Sequence, residues 1–144
     1  MKSQKFLADA SFLVSAIGTR DPNHLPCYTF FKNNETAQWL IPTIAYFEFQ
    51  ATQSKIARKG GKAYRSIILP NHRVIEISLK LIKKATRMNL LDCFSGLHGA
   101  DLIYACIAKI EKVPLVTCDS DFSKYSKFIE IINPLTQMQH ECNS

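Results

Sequence analysis

The 144-residue sequence has no CxxC pair, only five glycines and one tryptophan, and five scattered cysteines, an odd number. Without paired CxxC spacing, neither a zinc ribbon nor a thioredoxin-type site is expected. No apolar run approaches the length of a membrane-spanning helix. There is no internal repeat, low-complexity segment or interdomain linker, so the length reads as one domain large enough to bury a core. Lys2 and Lys5 precede the apolar stretch Phe6 to Ile17 as in an export leader, but Asp9 interrupts it, which disfavours that reading. Cys106 and Cys118 fall inside apolar runs, where cysteine acts as a small buried hydrophobe. A reducing cytoplasm is the expected compartment, with no membrane association.

Acidic residues are also scarce. Twelve stand against 18 lysines and arginines, giving a net charge of +6, a balance that suits an anionic partner such as nucleic acid. Yet five of the twelve border or interrupt the most apolar stretches. Asp9 ends Phe6-Leu7-Ala8, and Glu48 lies within Ile44 to Phe49. Asp101 opens Leu102 to Ala108, and Asp119 ends Pro114 to Cys118, with Asp121 two residues on. A carboxylate enters an apolar environment only when its charge is compensated. For several together, a bound divalent metal is the simplest compensation.

Short apolar runs alternate with amphipathic ones. Lys5 to Ala8 reads as a buried strand and Ala10 to Ile17 as a helix ended near Gly18. Cys27 to Asn33 reads as a helix, and Trp39 to Ile41 as a strand stopped by Pro42. Thr43 is the expected N-cap of a long helix reaching about Arg58, broken by Gly60-Gly61. Arg73 to Ile77 reads as a third strand. Ser78 then caps a helix expected to turn Leu79, Ile82 and Ala85 toward the core. Asn89 to Gly99 reads as a loop anchored by Leu90 and Leu91, and Asp101 to Glu111 as a helix, with Ile103, Ile107 and Ile110 near helical spacing. Leu115 to Cys118 reads as a central strand, Ser120 to Tyr125 as a short helix or turn, and Phe128 to Ile132 as an edge strand. This alternation predicts an α/β fold with a mainly parallel sheet. In such sheets, sites form beyond the carboxyl ends of the strands, where Asp9 and Asp119 fall.

Four separate elements therefore offer carboxylates to one crevice. Oxygen ligands of this kind suit Mg²⁺ or Mn²⁺, and such ions assist in-line displacement at phosphorus. Each acid alone has a simpler explanation. Asp9 caps a helix, Asp101 answers a helix dipole, and Asp119 with Asp121 forms an Asx turn. All of these acting independently, in this order, is less economical than one shared site. A flavodoxin-like or phospho-acceptor domain also puts acids at strand ends. The lack of a glycine-rich phosphate loop and of a lysine at a strand end disfavours it.

Asp9-Ala10-Ser11, Glu48 in its helix, Gly99-Ala100-Asp101 before an alanine-rich helix, and Thr117 to Phe122 together resemble the motifs of PIN-domain nucleases. The resemblance runs from Phe6 to about Pro134 and is closest in outline to VapC-type toxins. It implies a three-layer α/β/α sandwich over residues 1–134, with 135–144 as a polar tail. It also implies a Mg²⁺- or Mn²⁺-dependent endoribonuclease that hydrolyses RNA phosphodiester bonds as the toxin of a toxin–antitoxin pair. By that resemblance Asp9, Glu48, Asp101 and Asp119 are the catalytic, metal-holding acids, Asp121 is a further metal ligand, and Ser11 and Thr117 are supporting hydroxyls. An antitoxin and a homodimer are the partners implied. The competing class is a catalytically inert PIN-like module that binds RNA or protein.

Lys55, Arg58, Lys59, Lys62 and Arg65 follow the Glu48 helix and are candidates for an RNA-binding rim. Lys80, Lys83, Lys84 and Arg87 read as a solvated helix face, and His98 as a surface loop residue. Phe30, Phe31, Trp39, Tyr46 and Phe47 are expected in the core or a dimer interface, and any exposed subset would receive a partner helix.

Overall fold

A computed structural model describes residues 4–63 and 71–137. Five parallel strands form one sheet in the order β3-β2-β1-β4-β5: β1 Lys5–Ala8, β2 Gln38–Pro42, β3 His72–Ile75, β4 Leu115–Val116 and β5 Ile131–Ile132. Between them run α1 Ala10–Ile17, α2 His24–Asn33, α3 Thr43–Arg58, α4 Leu79–Arg87, α5 Leu90–Cys93 and α6 Gly99–Glu111, with a 3₁₀ turn at Ser120–Tyr125. Helices cover both faces of the sheet; α1 packs on α2 and α3, and α5 on α4 and α6. The expected three-layer α/β/α architecture is therefore present. The chain winds from β1 through β2 to β3, then returns to lay β4 on the other side of β1. That reversal makes the carboxyl ends of β1 and β4 a topological switch point, where a doubly wound sheet opens a crevice.

Local chemistry sets the elements that border it. Phe6, Leu7 and Ala8 are fully buried, as a central strand covered on both faces requires. Asp9 stops β1 and caps α1, its carboxylate accepting the Phe12 N–H at 2.9 Å. Gly18 ends α1 by donating to Val14 O, and any Cβ there would sit 2.8 Å from that same oxygen. Trp39 on β2 is the centre of an aromatic cluster. It stacks on Phe12 at 5.2 Å, packs against Phe6 and Phe31, and donates its indole N–H to Asn34 O. Burial of such rings contributes about 1.5–3 kcal/mol each.

Several sequence expectations shift. The second helix begins at His24 rather than Cys27, because Pro26 is tolerated in a first turn, where its missing N–H has no intrahelical partner. Thr43 is the first residue of α3 and not its cap. Pro42, still paired with Ile75, takes the cap position, and Thr43 Oγ1 accepts the Ile77 N–H instead. Ser78 does cap α4, accepting from Leu81 N. The face of α4 is nevertheless rotated from expectation. Ala85 is buried and Leu81 packs on the core, whereas Leu79 and Ile82 are 65% and 49% exposed. Two apolar stripes were available, Leu81–Ala85 and Leu79–Ile82, and only the first meets the sheet. The segment read as a loop contains α5, which starts at Asn89 in a left-handed conformation, φ 59°. That start turns Leu90 inward and leaves Leu91 exposed. Strand pairing at the carboxyl side is shorter than expected: β4 ends at Val116 and β5 is only Ile131–Ile132, with Phe128 exposed. Residues 134–137 form a helical turn, with Asn133 Oδ1 accepting from Leu135 N. Phe47 is 72% exposed and does not join the core. Arg65 lies outside the described residues. Among the described residues no helix is long and apolar enough to cross a membrane.

Candidate active site

The switch point gathers the acids that the sequence scatters. Asp101 stands in the first turn of α6, whose leading Gly99 adopts φ 55°, a backbone region that favours glycine. Asp119 follows β4 and caps the 3₁₀ turn by accepting from Asp121 N at 2.8 Å. One carboxylate oxygen from each of Asp101, Asp119 and Asp121 lies within 4.8 Å of the others. Asp101 and Asp119 are half-buried and Asp121 is exposed. The Asp101 carboxyl is held above its usual range, first by burial and then by the charges of Asp119, Glu48 and Asp121. The ion pairs Lys32–Glu35 and Arg73–Glu111 lie elsewhere on the surface.

Asp9 occupies a different position. It is 3% exposed, and its oxygens are engaged by protein donors. Ser11 Oγ donates to Oδ1 at 2.7 Å beside the Phe12 N–H, and Thr117 Oγ1 donates to Oδ2. The same two hydroxyls accept in turn: Ser11 Oγ from Cys118 N at 3.1 Å, and Thr117 Oγ1 from Asp119 N at 3.0 Å. Asp9 is thereby wired to the segment that presents Asp119. Burial pushes its carboxyl up to about 6 against the opposing effect of the Thr117, Phe12 and Ser11 hydrogen bonds, and the Asp101 charge adds to the rise. Glu48 projects from α3 and accepts the Tyr104 hydroxyl at 2.6 Å. Burial, then that hydrogen bond and the Glu48 charge, hold the Tyr104 phenol well above its ordinary value.

The three-oxygen cluster therefore contains Asp101, Asp119 and Asp121. Asp9 is hydrogen-bonded behind it, and Glu48 reaches Asp101 through its charge. Ser11 and Thr117 both donate to the Asp9 carboxylate. Sequence reading did not single out Tyr104, although it lies three residues after Asp101 and so on the same face of α6. It also missed Cys27 on α2, whose sulfur lies 3.2 Å from Cys118 Sγ. No signal in the primary structure joins residues so far apart. Their hydrogen bond lowers the Cys118 thiol and, with burial, raises the Cys27 thiol.

An open groove of about 640 Å³ runs along this edge, lined in part by Ser11, Glu48, Cys118 and Asp119. Val14 and Asp21 are shared with a neighbouring cavity of about 510 Å³, whose wall includes Arg20, Gln53 and Lys62 but none of the clustered acids. Lys55, Arg58, Lys59 and Lys62 are exposed around the end of α3.

The donor set fits a hard divalent cation. Carboxylate oxygens are the ligands Mg²⁺ and Mn²⁺ take, and the mutual repulsion at Asp101 is what a cation relieves. A sequence search of curated proteins found no match. Solved structures with the same fold include VapBC2 from Rickettsia felis bound to a promoter DNA fragment, at 20% identity and TM-score 0.63, covering 90% of this chain and 98% of that one. A toxin–antitoxin complex from Klebsiella pneumoniae aligns at 17% identity and TM-score 0.63, covering 89% and 96%. Mycobacterium tuberculosis VapC20, described as a Sarcin-Ricin loop cleaving toxin, aligns at 16% identity and TM-score 0.60, covering 87% and 97%. The sequence profile of the PIN domain matches residues 6–128. With that match spanning most of the chain, and with the parallel sheet and acidic switch point in place, this protein belongs to the PIN-domain family.

Proposed function

We propose that the protein is a Mg²⁺- or Mn²⁺-dependent endoribonuclease and the toxin of a toxin–antitoxin pair. The observation that carries this reading is the convergence of Asp101, Asp119 and Asp121, from two elements of the fold, to within 4.8 Å. The family match and the toxin neighbours support the choice of RNA phosphodiester as substrate and of an antitoxin as partner.

Asp101, Asp119 and Asp121 would hold the ion. A bound Mg²⁺ or Mn²⁺ supplies the charge that activates a water and stabilises the oxygens of a phosphodiester under attack. Glu48 adds a further carboxylate to the field at Asp101, and the Tyr104 hydroxyl fixes its orientation. Asp9 acts as a positioning residue. Through Ser11 and Thr117 it holds the backbone of Cys118 and Asp119, so the ligand segment is set before any ion arrives. Lys55, Arg58, Lys59 and Lys62, with Arg20 beside the adjoining cavity, neutralise phosphates along the RNA path. Leu25, Tyr28 and Phe47, exposed on α2 and α3, offer apolar contacts to a partner helix of the antitoxin. The exposed Leu79 and Ile82 of α4 support self-association into a homodimer.

Asp101→Asn tests the reading. It is expected to abolish metal-dependent RNA cleavage and the rise in melting temperature on adding Mn²⁺. The melting temperature without metal should stay level or rise, because a like charge has been removed. RNA cleavage by Asp101→Asn at the wild-type rate would refute it.

A further inference from the structure

Cys27 and Cys118 have no role in the proposed nuclease chemistry, yet their thiols meet beside the acidic groove. Cys118 sits between Thr117, which holds Asp9, and Asp119, which belongs to the acidic cluster. Cys118 is half-buried and is one of the residues that line the groove. Cys27 lies behind it on α2 and is fully buried. The two sulfurs are 3.2 Å apart. A disulfide bond is about 2.05 Å long, so the sulfurs must close by roughly 1.2 Å to bond. Cys93 and Cys106 are also free thiols, but neither borders the groove.

We propose that Cys27 and Cys118 are a thiol modification site, closing into a reversible disulfide that ties α2 to the Asp119 segment under attack by a low-molecular-weight disulfide such as glutathione disulfide. The Cys118 sulfur, having given up its proton, attacks one sulfur of the small disulfide. The S–S bond of the reagent breaks, one thiolate leaves and takes up a proton, and a mixed disulfide stands on Cys118. Cys27 then attacks Cys118 Sγ, its proton passing to the departing thiolate, which forms the internal bond and expels the second small thiol. Two protein thiols and one small disulfide become one protein disulfide and two small thiols, so two electrons pass from the protein to the reagent.

Closing the bond draws Cys118 toward α2. Its backbone N–H is the group held by Ser11 Oγ, and the next N–H, that of Asp119, is held by Thr117 Oγ1. Oxidation thus strains the two relays that place Asp119. The consequence for activity rests on the nuclease reading given above; formation of the bond does not.

The test treats the full-length reduced protein with glutathione disulfide, then alkylates it and maps its peptides by mass spectrometry. The expected product is a Cys27–Cys118 linked peptide, lighter by two hydrogens and reversed by dithiothreitol, with Cys93 and Cys106 alkylated. Thiols at Cys27 and Cys118 that stay fully alkylatable, or glutathione held on Cys118 without a bridge, would overturn the site. RNA cleavage and the Mn²⁺-induced thermal shift are then compared before and after oxidation. A loss of about tenfold in cleavage, the scale of disturbing a group that supports a metal ligand, is expected. An unchanged rate and thermal shift in the bridged protein would overturn the regulatory consequence. Cys27→Ala should cleave RNA like the reduced wild type before treatment and, after it, carry glutathione on Cys118 with no linked peptide. Should that variant not fold, mapping and thermal shift on the wild type decide the same question. A reduced wild type that neither cleaves RNA nor responds to Mn²⁺ would count against the nuclease reading, while the linked peptide still reports the disulfide.

Discussion

At the carboxyl ends of β1 and β4, charged side chains are drawn inward. Asp9 is 3% exposed and Asp101 and Asp119 are half-buried. On α4 the opposite happens: Leu79 and Ile82 stand in solvent beside Lys80, Lys83, Lys84 and Arg87. Acids in the first region are either held by hydroxyls and backbone N–H groups or crowded against each other. Cations in the second are solvated and spaced along a helix. A charge that the fold encloses must be satisfied by something specific, so its presence carries chemical information. A solvated charge carries almost none, and an exposed leucine carries little more unless a partner covers it.

That contrast is open to direct attack. The largest effect is expected at the crowded carboxylates. Asp119→Asn keeps an oxygen to accept from Asp121 N, so the fold should persist. RNA cleavage should nevertheless drop by more than about 100-fold, beyond the loss usual for an outer partner of a metal ligand. Tyr104→Phe removes only the hydroxyl that holds Glu48, and cleavage is expected to fall by about 10- to 100-fold with the melt little changed. Equal kcat/KM in wild type and Tyr104→Phe would show that Glu48 needs no such support.

Asp9 gives a pH signature. Its carboxyl is raised from the ordinary 3.8 to about 6 by burial, so the folded state holds the proton more tightly than the unfolded chain. The stabilising contribution is fully present below 3.8 and is lost as pH rises through about 6, on the order of 3 kcal/mol in all at about 1.36 kcal/mol per unit. Urea unfolding of the metal-free protein at pH 4 and pH 7, beside Asp9→Asn, reads this out. The variant should lose that part of the slope, and a matching pH dependence in both proteins would contradict the assignment. The smallest effect is expected on α4, where Ile82→Ser should change the unfolding free energy of the monomer by no more than about 0.5 kcal/mol. Light scattering on the same variant asks whether that face joins two copies.

The two regions also differ in how legible they were. Asp9 capping α1, Asp119 capping the 3₁₀ turn and Asp101 in the first turn of α6 were each readable from local chemistry, and all three hold together with the cluster. Capping and site-building are not alternatives here. A residue that ends a strand and starts a helix at a switch point is placed in the crevice by the same geometry. On α4, Leu79, Leu81, Ile82 and Ala85 allow two apolar stripes of similar quality. Periodicity measures the pattern but not the direction of the sheet, so it could not choose between them. The start of α5 was hidden for a related reason: a left-handed Asn89 sets which of two adjacent leucines turns inward.

Period, capping residues and the order of apolar runs, all of which act over a few neighbouring residues, were enough to specify the alternating elements, the parallel sheet and the acids that end its strands. What no local rule contains is distance between residues remote in the chain. The division of labour among the carboxylates, with Asp9 tied to Ser11 and Thr117 while Asp101, Asp119 and Asp121 converge, follows from how β1, β4 and α6 pack. So do the hold of Tyr104 on Glu48 and the meeting of Cys27 with Cys118. These contacts exist only once the hydrophobic core has closed and fixed the elements against one another.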